Sequence, residues 1–312
     1  MSLASPLSTF FRAAILQAAD SRRLQRLVQR YGMRLGAARF VAGETLDECV
    51  VVLRRLNDAG LHANTTLLGE EIPSAEGAAA AVTAYEEILD RLAAEQLRAN
   101  VALKLTHLGL SFDEEMAYAN LAQLATHAGR LGMFIRIDME QSAFVEATLR
   151  TYERLRVQGH DNVGVVLQSY LYRSPDDLER LLPLEPNVRI VKGAYLEPPA
   201  VAYPEKSNVD AAYIRLVERG LTGGAYIAVA THDERIIREV LAFTEREGFG
   251  RDRFELQMLY GVRPGLQRSL ASAGYKVLVA TPFGPDWYPY LMRRLAERPA
   301  NLLFFLRNLV RR

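Results

Sequence analysis

VALKLTHLGLSFDEEMAYANLAQLATHAGRLGMFIRID, residues 101–138, carries the alternation that decides the fold. Two short apolar runs, VALKL (101–105) and MFIRID (133–138), flank DEEMAYANLAQLATHAGRLG (113–132), whose apolar residues recur at helical i, i+3, i+4 spacing. That middle segment opens on acidic residues, which suit the positive end of a helix dipole. It closes on a glycine, which suits the turn beyond a helix end. The flanking runs are apolar almost throughout, as expected of parallel strands covered on both faces.

The same alternation continues on both sides. Six further strands are expected at LHANTTLL (61–68), VGVVLQ (163–168), VRIVK (188–192), YIAVA (226–230), FELQML (254–259) and KVLVAT (276–281). AEGAAAAVTAYEEILDRLAAEQ (75–96) is a second clear helix. Eight β-α repeats predict an α/β fold of the (βα)8 barrel type. An open doubly wound sheet is the alternative. Residues 1–43 carry helical patterning ahead of the first strand and are expected to form an N-terminal helical arm. Residues 44–312 then form the barrel and its C-terminal helix, one domain overall. LEPPAVAYPEKSN (196–208), after the fifth strand, is the longest irregular stretch and reads as an active-site loop.

Composition excludes several classes. Of 312 residues, 49% are apolar and 24% charged, and the net charge is +1, so nothing in bulk favours nucleic acid. Cys49 is the single cysteine, which leaves no disulfide framework and suits a reducing, cytoplasmic compartment. No run approaches the roughly 20 apolar residues of a spanning helix. The closing NLLFFLRNLVRR (301–312) suits either a helix packed on the N-terminal arm, which is the expectation, or peripheral contact with the inner face of an anionic membrane. The sequence holds no GxGxxG or Walker motif, and GLTGGAY (220–226) precedes a strand, so it reads as a helix-to-strand turn. His62, His107, His127 and His160 have no metal-ligand spacing, and no metal is expected.

In a barrel the chemistry sits at the carboxyl ends of the strands. Polar residues gather there: Glu70 after the first, Lys104 in the second, Asp138 ending the third and Gln168 the fourth. Arg189 and Lys192 belong to the fifth, Thr231 and His232 follow the sixth, and Gln257 lies in the seventh. Arg293 and Arg294 are expected to open the last helix. Glu297 stands four and three residues on, the spacing of a helix-surface salt bridge. Any one of these charges alone fits a structural ion-pair network equally well. Together they form a constellation. Two adjacent guanidiniums and a lysine match a carboxylate, which a planar fork grips bidentately.

LKLTHLGL, IRIDMEQS, VVLQSYLYRS, VRIVKGAYLEP, ATHDERII, FELQMLYGVRP and WYPYLMRRLAERPANL resemble, in order, the proline dehydrogenases in their monofunctional bacterial form, as does FVAGETLDE near the start. The resemblance implies a distorted (βα)8 barrel holding FAD non-covalently. It implies oxidation of L-proline to 1-pyrroline-5-carboxylate, with electrons passed to a membrane quinone. It further implies that Arg293 and Arg294 grip the substrate carboxylate with Lys104 assisting, that Glu70 gates the pocket, and that Glu297 braces the clamp. Asp138 and Arg189 resemble active-site residues near substrate and flavin. Met139, Gln168, Lys192, Gly193, Ala194, Thr231, His232 and Gln257 resemble flavin contacts, and Tyr195 and Leu259 shape the pocket.

Two positions depart from the family pattern. Ala280, in ATPFG, stands where a tyrosine is usual, and Thr66, in TLLGE, where an aspartate is usual. First and last strands are neighbours in a closed barrel, so the two changes are expected side by side. They leave room for an alternative substrate, such as 4-hydroxyproline or another substituted or acyclic amino acid. A non-catalytic amino-acid-binding barrel is the second alternative.

Overall fold

The computed structural model describes residues 33, 36–69 and 72–297, with the side chains of residues 293 and 295–297 excluded. Most of the expected N-terminal arm, Glu70 and residues 298–312 therefore lie outside the described residues. Eight parallel strands close in sequence order into a barrel: β1 (His62–Leu67), β2 (Ala99–Lys104), β3 (Ile135–Asp138), β4 (Val163–Gln168), β5 (Asn187–Val191), β6 (Tyr226–Ala230), β7 (Phe254–Leu259) and β8 (Val277–Phe283). β8 pairs in parallel with β1, which completes the ring and rules out the open sheet.

Among the described residues the helices are α1 (Leu46–Asp58), α2 (Ala75–Ala94), α3 (Glu114–Arg130), α4 (Ser142–Val157), α5 (Ser174–Leu181), α6 (Lys206–Thr222), α7 (Glu234–Arg246), α8 (Pro264–Ser272) and α9 (Trp287–Glu297). Local chemistry starts several of them. The Asp113 carboxylate accepts from the Met116 amide to cap α3, and the Ser74 hydroxyl from the Gly77 amide to cap α2. Outward residues such as Val163, Val165 and Leu167 on β4 are covered by the helix layer and belong to one continuous apolar core.

The ring departs from a regular barrel at its closure. α1 packs against β1 and β8, where a last helix would otherwise stand. α9 instead joins Ala37, Phe40, Val41 and Leu68 in a separate apolar cluster through Trp287, Tyr288, Leu291 and Met292. The Trp287 indole N–H donates to Glu44 at 2.6 Å, tying the start of α9 to the segment before α1. Arg293 and Arg294 were expected to open this helix. They lie in its second half, because its apolar anchor begins at Trp287.

Candidate active site

The barrel interior is built of inward residues that share a face across parallel partners. Branched aliphatics normally fill this space. Here much of it is polar. Arg136 is fully buried and donates to the carbonyls of Val165 (3.1 Å) and Asn187 (2.8 Å) and to the Asn187 side chain (2.5 Å). Its register partner is Gly164, where a Cβ would meet the Arg136 Nη1 at 2.4 Å; the glycine leaves the guanidinium its room. Burial first, and the nearby Arg189 charge second, push the Arg136 guanidinium down to about 10.

Arg189, two strands on, is held on three sides. Its Nε donates to Gln257 Oε1 at 2.6 Å, Nη1 to Asp138 Oδ1 at 2.5 Å, and Nη2 to Asn64 Oδ1 at 2.8 Å. A guanidinium has five N–H groups, so two remain after these bonds. Arg189 is 8% exposed, and it lines a cavity of about 820 Å³ at the carboxyl ends of the strands.

The cavity gathers most of the expected site residues. β3 and its exit contribute Asp138 and Met139, β4 contributes Gln168, and the segment after β5 contributes Lys192, Gly193, Ala194 and Tyr195. Thr231 and His232 follow β6, Gln257 and Leu259 come from β7, Ala280 from β8 and Arg294 from α9. Lys104 stands at the end of β2 in register with Asp138 and is not among the lining residues. Glu70 and the Arg293 and Glu297 side chains lie outside the described residues. Ala280 pairs with Asn64, whereas Thr66 pairs with Pro282, so the two departures share a strand face two residues apart and are not direct neighbours.

Several cavity groups are seated by the backbone. Gln168 donates Nε2 to the Glu140 carbonyl at 2.9 Å, while its buried Oε1 has no hydrogen-bond partner. Glu140 itself is anchored by Thr106, whose N–H and hydroxyl donate to the two carboxylate oxygens. Burial raises the Glu140 carboxyl above its ordinary value, against the opposing Thr106 bonds. The Leu259 amide donates to His232 Nε2 at 2.9 Å, so the neutral ring carries its hydrogen on Nδ1. At the rim, Lys192 Nζ lies 2.6 Å from Asp210 and 3.4 Å from Asp233. Burial raises the Asp210 carboxyl, but Lys192 and Lys206 outweigh it and leave it below the usual range.

Sequence reading missed Asn64, Arg136 and Glu255 in the interior, and Phe40, Tyr290 and Arg263 on the cavity wall. Glu255 carried a signal: it lies two residues from Gln257 and so shares its face of the strand. Phe40 carried none, because its place depends on how the first segment docks on α9.

Known proteins resemble this chain at both levels. The family model described as proline dehydrogenase matches residues 49–307. Proline dehydrogenase 1 of Bacillus subtilis (strain 168) is 39% identical over 301 residues, covering 96% of this chain and 99% of that protein. The proline dehydrogenase of Deinococcus radiodurans is 40% identical over 309 residues, covering 98% and 99%. Among solved structures, proline utilization A from Bdellovibrio bacteriovorus, inactivated by N-propargylglycine, superposes with a TM-score of 0.80 at 23% identity. That match takes in 93% of this chain and 36% of the larger one, and it bears on the fold.

Proposed function

This chain belongs to the proline dehydrogenase family, and on that footing we propose that its cavity binds FAD without a covalent link and oxidises L-proline to 1-pyrroline-5-carboxylate. The observation that carries the reading is the meeting of a fully braced Arg189 and the α9 residue Arg294 on one cavity at the barrel mouth. The residues fit a flavin. Gln168 Oε1 is a buried acceptor without a partner on the cavity wall, which a ring N–H would satisfy. Lys192, Gly193, Ala194, Thr231, His232 and Met139 lie along the same wall as candidate contacts. When bound, a flavin supplies the acceptor for the two electrons and the hydrogen that leave the carbon beside the proline nitrogen.

The chain's own residues do the positioning. Arg293 and Arg294, assisted by Lys104 at the end of β2, hold the substrate carboxylate and so fix which ring carbon faces the cofactor. Arg189, locked by Asp138, Asn64 and Gln257, places a fixed positive charge where negative charge develops, without reorganising during the step. Tyr195, Leu259 and Ala280 shape the space left for the ring, and Glu70 and Glu297 close and brace the clamp. Ala37, Phe40 and Val41, at the end of the expected N-terminal arm, cluster with Trp287 of α9. Electrons leave to a quinone; among the described residues no helix is long and apolar enough to cross a membrane. Neither a substituted substrate nor a non-catalytic binding barrel gains support from the relatives.

Colour tests the reading. The purified protein is expected to be yellow, to bleach on anaerobic addition of L-proline, and to regain colour with a soluble quinone. Protein that takes up no FAD, or whose bound flavin proline leaves oxidised, would overturn it.

A further inference from the structure

A chain of buried polar groups runs down the barrel axis from the cavity to the far end. Gln257 Oε1 accepts from Arg189 Nε at 2.6 Å, and Gln257 Nε2 donates to Glu255 Oε1 at 2.5 Å. The other carboxylate oxygen of Glu255 meets Lys276 Nζ at 2.9 Å and accepts from the Tyr226 hydroxyl at 2.9 Å. Glu255 is 2% exposed, whereas the Lys276 side chain is 42% exposed. A buried carboxylate is expensive, and stability alone does not require one where barrels pack aliphatics.

The geometry gives it a task. A side-chain amide has two nearly equal-shaped ends, a donor and an acceptor, and either fits the same space. Gln257 turned over would present its NH2 to Arg189, donor against donor. Glu255 supplies the acceptor that Gln257 Nε2 needs when Gln257 Oε1 faces Arg189, and so holds the amide in that orientation. Burial raises the Glu255 carboxyl, but the Lys276 and Arg136 charges and the donated hydrogen bonds outweigh this and hold it below the usual range.

We propose that Glu255 is a positioning residue: from beneath the cavity it fixes the orientation of the Gln257 amide and thereby the plane of the Arg189 guanidinium that faces the reacting ligands. The proposal rests on the reading of Arg189 given above. It assigns Glu255 no contact with substrate or cofactor.

Two substitutions separate this task from packing. Glu255→Gln keeps an acceptor for Gln257 without the charge, and Glu255→Met keeps the volume without the acceptor. Glu255→Met is expected to lower kcat by about 10- to 100-fold, in the range seen for groups that orient others, with KM for proline changed less than about threefold. Glu255→Gln is expected to stay within about threefold of the wild type in kcat. Added to Gln257→Met, the Glu255→Met change is expected to cost little more, since both break the same link. A second readout needs no turnover: the Arg189 Nε–H resonance in the protein's NMR spectrum is expected to be retained in Glu255→Gln and lost or shifted in Glu255→Met. If Glu255→Met does not fold, Glu255→Met with Lys276→Met removes both charges, leaves no uncompensated ammonium, and is expected to give the same loss.

A Met variant with wild-type kcat and an unmoved Arg189 resonance sinks the proposal. So does a Gln variant as impaired as the Met variant, which would make the charge decisive and not the acceptor. Should the wild type fail to oxidise proline, the reading of the activity falls, while the Arg189 resonance still decides the role of Glu255.

Discussion

Gly193 turns the chain out of β5 into the cavity with φ +115°, a backbone region that side chains rarely adopt. A Cβ there would lie 2.3 Å from the Tyr170 ring, in a segment that also places Lys192, Ala194 and Tyr195. Gly193→Ala is therefore expected to destabilise the protein by about 1–3 kcal/mol and to lower its flavin content. Thermal melting and the ratio of visible to ultraviolet absorbance check both; an unchanged melt and full flavin would refute the account. The sequence showed the glycine only through the KGAY motif. The ring that makes it necessary is Tyr170, on the preceding strand's exit, and no local pattern announces that contact. Lys104 illustrates the reverse case: its motif was legible, yet it is not among the residues that line the cavity.

At the scale of elements, the segment between β5 and α6 is built as one piece with its neighbours. Tyr170 and Tyr172 pair with it through the backbone, the Tyr172 and Tyr203 rings meet edge-on at 4.5 Å, and the Leu171–Ala202 bridge lies between. Its Glu197 takes the first amide of α4 at 2.7 Å and the Ser142 hydroxyl at 2.6 Å. The residue before α4, Gln141, offers no side-chain cap, so a carboxylate from another element does that work at the positive end of the helix. Glu197→Ala is expected to cost about 0.5–2 kcal/mol, the usual range for losing a cap, and to open residues 196–205 to protease. Urea unfolding and limited proteolysis read the two effects; equal stability with unchanged cleavage would rule the latch out. LEPPAVAYPEKSN was legible as a loop, since prolines and polar residues interrupt the periodicity. Its attachment to α4 was not, because Glu197 and Ser142 lie 55 residues apart.

Across the whole molecule, the barrel buries histidines as well as its polar axis. His62 lies half-buried at one end near Lys276 and Arg98, and His107 is buried beside Tyr85, whose hydroxyl lies 3.2 Å from its Nδ1. Burial first, then the neighbouring lysines, hold both rings below their ordinary 6.5. Their neutral forms are native. Above pH 6.5 their contribution to stability is complete; as pH falls, the unfolded chain takes up protons that the folded one refuses, and stability drops until the folded-state values are reached. As pH falls below 6.5 the melting temperature is expected to drop more steeply than in His62→Asn with His107→Gln; parallel curves for the two proteins would contradict this. Eight strands with helices between them followed from the sequence alone, because apolar runs and helical spacing are local properties that repeat along the chain; the pairing of β8 with β1 then excluded the open sheet. The identity of most cavity residues followed likewise, from motifs carried at strand ends. Which buried groups meet was decided only by closure of the ring. Arg189 finds Gln257 68 residues away and Asn64 125 residues away because the register of each strand against the next sets their heights in the barrel. The docking of α9 with Phe40 over the mouth was likewise a tertiary outcome, since α1 already covers the wall formed by β1 and β8 and leaves the last helix no place there.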